Sequence, residues 1–211
     1  MSKLREAFEK GEFAITAEMA PPKGTDLSHL AECAKLVIGR VHAANVTDNQ
    51  SAVMRTSSLA TCKMLKDLGL EPVIQMTGRD RNRIAIESEM LSAGFFGIDN
   101  LLALTGDHVC VGDHKQAKPV FDLDAVSILS TATMMNNGTD STGLELKGKT
   151  DFFLGACVTP EYDPIEVIEE GEEGYYTNMV HLMYNVFGKQ IESNVSFNLL
   201  RSNNNTTHKN T

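Results

Sequence analysis

One carboxylate interrupts the apolar run "FAITAEM" (Phe13 to Met19): Glu18, just before "APP". Burial there would favour its protonated form and suit it to general-acid work, whereas a Glu that reaches solvent at a strand mouth carries no such meaning. Thr47, Asp48 and Asn49 follow "HAANV", and Gln75 and Thr77 close "EPVIQMT". Taken singly, each reads first as a turn or capping residue and only second as a ligand contact. "LTGDH" (Leu104 to His108) is more specific. Gly106 allows close backbone approach to a ligand, and Asp107 can accept hydrogen bonds from it.

Two other chemistries compete for attention. "GLELKGKT" (Gly143 to Thr150) matches the phosphate-loop pattern G-x-x-x-x-G-K-[ST]. Such a loop must leave a buried strand and open a helix, so that backbone N–H groups wrap the phosphates. Here the order is reversed, helix before and strand after, so the segment reads as a polar turn. His108 and His114, with Asp107 and Asp113, invite a metal reading. All four lie in one loop without a second cluster elsewhere, and no metal site is expected.

The elements that must position these residues alternate regularly. Strands are expected at Phe13 to Met19, His42 to Thr47, Glu71 to Thr77, Asp99 to Asp107 (with its turn) and Thr150 to Val158. Between them, apolar residues recur at helical spacing. Asp26 offers a cap for the first helix, Thr56 or Ser57 for the second; a third runs from about Asp80 to Gly94 and another from about Asp124 to Asn136. A period of about 29 residues is that of one strand–helix crossover, and its repetition implies a parallel sheet with helices outside. In such folds sites lie at the C-terminal strand ends, where Glu18, Thr47, Asp48, Asn49, Gln75, Thr77 and "LTGDH" fall.

Composition narrows the class. With 42% hydrophobic and 22% charged residues, the 211-residue chain has the balance of an ordinary globular protein. A net charge of -9 argues against nucleic acid as a partner. The short basic run "GRDRNR" contains its own Asp80 and reads as a solvated helix start. The N-terminus lacks the apolar core of a signal peptide, and no stretch approaches membrane-spanning length. Four scattered cysteines without a CxxC pair favour reduced thiols and a cytoplasmic location, with no membrane partner.

Six segments carry a resemblance: "ITAEMAPPKG", "VTDNQ", "IQMTGRDRNR", "LLALTGDH", "AKPVFDLD" and "FFLGACVTPEYDP". In this order, from about residue 12 to residue 164, they resemble methylenetetrahydrofolate reductase, in the subtype of anaerobic and acetogenic bacteria. The resemblance implies an α/β fold, a (β/α)8 TIM barrel holding FAD, which carries a hydride to 5,10-methylenetetrahydrofolate and yields 5-methyltetrahydrofolate. It puts Glu18 on the family's general acid and Asp107 on the Asp near the flavin and the folate pterin. Thr47 matches a Thr near the flavin's reactive edge. Thr105, Gly106, Phe121 and Asp122 fall in cofactor-contacting turns, and Asp48, Gln75 and Thr159 complete the expected cofactor set. Gln75 stands where some members carry a His, Thr105 where some carry an Arg, and Thr159 where others carry Tyr or Asn. The electron donor implied is NADH, NADPH or a redox partner protein.

After Pro164 the rhythm stops. Residues 1–164 read as the N-terminal part of such a barrel, about five of its eight units. Residues 165–211 read as a divergent tail, with one helix from Tyr176 to Phe187 and a disordered Asn- and Thr-rich end. Two functional expectations follow: an active reductase, or an inactive truncated or frame-shifted fragment (or non-catalytic subunit) of one. Open strand edges imply a homo-oligomer or a hetero-complex.

Overall fold

Alternation of apolar runs with helical stretches produces a sheet of five parallel strands in sequential order, β1 to β5. A computed structural model describes residues 2–157. The elements are α1 (Lys3–Glu9), β1 (Thr16–Met19), α2 (Ser28–Val37), β2 (Ala43–Val46), α3 (Ser58–Asp67), β3 (Pro72–Thr77), α4 (Arg83–Phe95), β4 (Asn100–Leu104), α5 (Ala125–Asn136) and β5 (Phe153–Ala156). This is an α/β architecture of successive strand–helix units, an incomplete barrel of the TIM type among the described residues. All of them but Cys157 fall within one compact unit, Met1–Ala156.

Register separates the two faces of the sheet. Met19, Val46, Ile74, Leu101 and Leu154 are paired neighbours across all five strands, and every one is buried. They face the helices, whose own buried stripes include Ala34, Cys62, Leu65, Ile86, Met90, Ile128 and Leu129. One residue earlier, the row Glu18, Asn45, Val73, Asn100 and Phe153 lies on the opposite, inner face. Side chains alternate along a strand, so the first row holds the core and the second is free to be polar.

At the end where the strands begin, that inner face is closed by α1, which the sequence patterning does not anticipate. Leu4 packs with Ala43 and Val73, flanked by Ala14, Leu102 and Phe153. Ser2 caps the helix by accepting from the Arg5 N–H, and its hydroxyl donates to Asn100 Oδ1 at 2.6 Å. Glu71 accepts from the Lys3 N–H at 2.7 Å, and Arg5 forks onto Asp151. A seven-residue helix has little stability of its own. Docking and these polar ties make it form.

Several expectations need correcting. β1 starts at Thr16 rather than Phe13, which is exposed. Leu27, not Asp26, is the N-cap of α2, although Asp26 still accepts from the Ser28 N–H. The third helix of the alternation begins at Arg83, capped by Asn82, three residues after the expected Asp80. Of the two candidates Thr56 and Ser57, Ser57 caps α3, and α5 begins at Ala125 with Asp124 as its N-cap. "GLELKGKT" is indeed a turn between α5 and β5, with Gly143 and Gly148 at positive φ. The expected tail helix and disordered end lie outside the described residues. Among the described residues, no helix is long and apolar enough to cross a membrane.

Candidate functional site

The C-terminal ends of β2 and β3 are tied together by one carboxylate. Asp48 is 4% exposed, and its Oδ2 accepts from the Thr77 N–H at 2.9 Å and the Thr77 hydroxyl at 3.0 Å. The same oxygen accepts from Arg81 Nη2, while Arg81 Nη1 donates to Glu89 of α4 at 2.5 Å. Burial works against the Arg81 charge, but Asp48 and Glu89 outweigh it and hold the guanidinium above its ordinary range. For Glu89 burial dominates and pushes the carboxyl up, against the pull of Arg81 and with the repulsion of Asp48. A cation shared between two carboxylates leaves the less favoured one short of compensation.

A second arginine overturns the expectation that "GRDRNR" is a solvated helix start. Arg79 is 2% exposed. Its guanidinium forks onto Asp80 through Nε at 2.8 Å and Nη2 at 2.6 Å. Nη2 also reaches the Asn49 carbonyl at 3.1 Å, and Nη1 the Asp107 carbonyl at 3.2 Å. The hydrogen bond to Asp80 raises the arginine above its ordinary range, and the same bond lowers the Asp80 carboxyl. The run is basic in composition, yet its charge is spent on backbone carbonyls and neighbouring carboxylates. Arg79, Arg81 and Glu89 are the site-forming residues that sequence reasoning passes over. The available signal was two arginines directly after a strand end, beside an Asp.

Around this network stand the residues expected from the sequence. Gly106 adopts φ +94°, and a Cβ there would sit 3.1 Å from the Thr77 Cβ and 3.2 Å from the Arg79 Cβ. Only glycine meets both demands. Thr105 accepts from the Ala125 N–H and so helps start α5. Phe121 has φ +44°, donates its N–H to the Gly78 carbonyl at 3.1 Å, and stacks on His108 at 6.4 Å between ring centroids. Asp122 is engaged by Arg83, which gives it a bidentate ion pair and a backbone N–H. Its carboxyl falls to about 2 in consequence.

Thr47, 3% exposed, has a buried hydroxyl without a hydrogen-bond partner among the described residues. Glu18 and Asp107 are exposed rather than buried. Glu18 shares the inner face with Asn45, its register partner, and Gln75 lies half-buried on that face beside Leu102. The structure therefore brings Asp48, Gly106, Asp107 and Phe121 to one network through Thr77, Gly78 and Arg79. It leaves Glu18 and Gln75 on the inner face outside it. Thr159 lies outside the described residues. Among the described residues no group of three or more His, Cys, Asp or Glu side chains converges as a metal site would require.

A flat cofactor ring with polar edges would suit this arrangement. Among the described residues Thr47 offers an unsatisfied hydroxyl, and the Asp107 and Glu18 carboxylates have no side-chain partner. Polar residues gathered at the C-terminal ends of a parallel sheet define the ligand-binding arrangement of α/β barrel proteins. A family model described as Methylenetetrahydrofolate reductase matches residues 3–137, more than half of the 211-residue chain. The chain belongs to that family of oxidoreductases. No curated protein matches it.

Proposed function

We propose that this protein carries out FAD-dependent reduction of 5,10-methylenetetrahydrofolate to 5-methyltetrahydrofolate. Family membership supports the reaction class, and the observation that carries the cofactor is the buried, unpartnered Thr47 hydroxyl beside the Asp48–Thr77–Arg79–Gly106 cluster. Bound FAD would supply the hydride. Thr47, Asp48, Gln75, Thr105, Gly106, Phe121, Asp122 and Thr159 form the cofactor-contacting set, with Asp107 orienting flavin and folate. Glu18 is the proton donor that opens the folate's one-carbon bridge. It is exposed on the inner face, at the end of the strands opposite α1.

The anaerobe-like subtype, a place in one-carbon and methionine metabolism, and a cytoplasmic location belong to the same proposal. The electron donor is NADH, NADPH or a redox partner protein. Residues 1–164 form the barrel part and 165–211 a divergent tail, and the chain works as a homo-oligomer or in a hetero-complex.

One observation favours a second reading. Glu18 and Asp107, the two carboxylates the chemistry needs, are both exposed among the described residues. A site that excludes water strengthens every electrostatic interaction within it. The alternative is an inactive fragment, or a non-catalytic subunit, of such a reductase. Visible absorbance of the purified chain, before and after excess FAD, separates the two. Flavin bands that bleach on adding 5-methyltetrahydrofolate support the reductase, and Glu18→Gln should slow the bleaching by about 10²-fold or more. A chain that takes up no FAD leaves the second reading.

A further inference from the structure

We propose that Arg79 is a positioning residue that sets the Asp107 turn against the Asn49 loop. The proposal rests on the flavin reading, in which Asp107 is presented to cofactor and substrate.

Three observations carry it. First, the guanidinium is almost fully buried and its bonds go to three chain segments, the Asn49 carbonyl after β2, the Asp107 carbonyl after β4, and its own neighbour Asp80. Its backbone carbonyl adds a fourth link, accepting from the Val120 N–H at 2.8 Å. Second, both loops it holds are conformationally demanding. Asn49, Ser51 and Ala52 all have positive φ, at 45°, 57° and 56°, and Gly106 next to Asp107 has φ +94°. Non-glycine residues in that region are unfavourable and persist only where surroundings over-determine them. Third, the site cannot be refilled by a simpler cation. A planar guanidinium presents donors in a rigid fork, while a lysine ammonium is a point charge on a flexible stem and cannot reach Asp80 and both carbonyls in one plane.

Asp80 sets the fork's rotation by binding two of its nitrogens, and Asn49 Nδ2 donates to Asp80 Oδ2 at 3.3 Å. Asn49 Oδ1 in turn accepts from the Arg55 N–H at 2.9 Å. Rotating the guanidinium would therefore release the Asp107 carbonyl and the Asn49 loop together. The two loops move as one.

The test uses the full-length chain with Arg79→Lys and, should that variant fold poorly, Asp80→Asn, which keeps the guanidinium and removes what orients it. Amide hydrogen exchange is read at Arg55 and Val111, whose N–H groups donate to Asn49 Oδ1 and to the His108 carbonyl and so report the two loops, against Leu65 in α3. Exchange about tenfold faster at both loop amides with Leu65 unchanged is expected. The absorbance bands and FAD affinity of the loaded chain are then compared with those of Asp107→Asn, and the two variants should shift in the same sense. Unaltered loop exchange would overturn the proposal. So would faster exchange with flavin bands and affinity identical to the parent, since that marks a purely structural role. A parent chain that takes up no FAD sinks the flavin reading instead, and Arg79 then stands or falls as the loop-setting residue on the exchange rates alone.

Discussion

Asp48 Oδ2 accepts both the backbone N–H and the hydroxyl of Thr77, at 2.9 and 3.0 Å, and so locks the end of β2 to the end of β3. Strand pairing alone ends at Val46 and Ile74. Beyond that point the two chains diverge into loops, and this carboxylate takes over from the ladder.

Removing it exposes how much rests there. Asp48→Ala removes the acceptor of the Thr77 N–H and hydroxyl and leaves Arg81 with Glu89 as its remaining ion-pair partner among the described residues. Breaking a buried pair from one side costs about 3–5 kcal/mol. Urea unfolding should show a correspondingly lower midpoint with an unchanged slope. A loss below about 1 kcal/mol would mean that the pair is solvent-screened and of little structural weight.

Glycine positions test how closely the site loops approach. A Cβ on Gly78 would overlap the Leu123 carbonyl, whereas one on Gly24 meets nothing within 4 Å. Gly78→Ala should therefore destabilise by about 1–3 kcal/mol through forced backbone displacement, and Gly24→Ala should stay within about 0.5 kcal/mol. Thermal melts of the two variants make the comparison. Equal effects would mean that the segment carrying Phe121 and Asp122 does not lie against the end of β3.

Acid should weaken the Asp122–Arg83 clasp in a defined window. The Asp122 carboxyl lies at about 2, below its ordinary 3.8, chiefly because the Arg83 side chain binds its charged form. A depressed carboxylate contributes stability above its unfolded value and loses it as pH falls through the folded one. Parent protein should thus melt above Asp122→Asn near neutrality, with the gap closing as pH drops from about 4 towards 2. A gap that stays constant across that range would deny the ion pair its role.

Much of this molecule is legible from local pattern. The five strands, four of the helices and the choice of Thr56 or Ser57 as the α3 cap follow from apolar spacing and turn chemistry, because both act between residues close in sequence. Sequence order also exposed the phosphate-loop match as a turn, since context decides such a motif. The family, too, was readable from six short segments, and the match over residues 3–137 bears it out.

What the sequence by itself determined is therefore the alternation, the parallel sheet and the set of polar residues at its C-terminal ends. Tertiary structure decided how those residues are used. Composition marked Arg79 and Arg81 as solvated charges, yet the fold buries one and wedges the other between Asp48 and Glu89. Glu18 sits in an apolar run, yet it lies exposed on the inner face of the sheet. The short α1 exists because Leu4, Ser2 and Arg5 find partners on residues as distant as Asn100 and Asp151. Burial and hydrogen-bond partners depend on which segments the fold brings together, and no window along the chain contains that information.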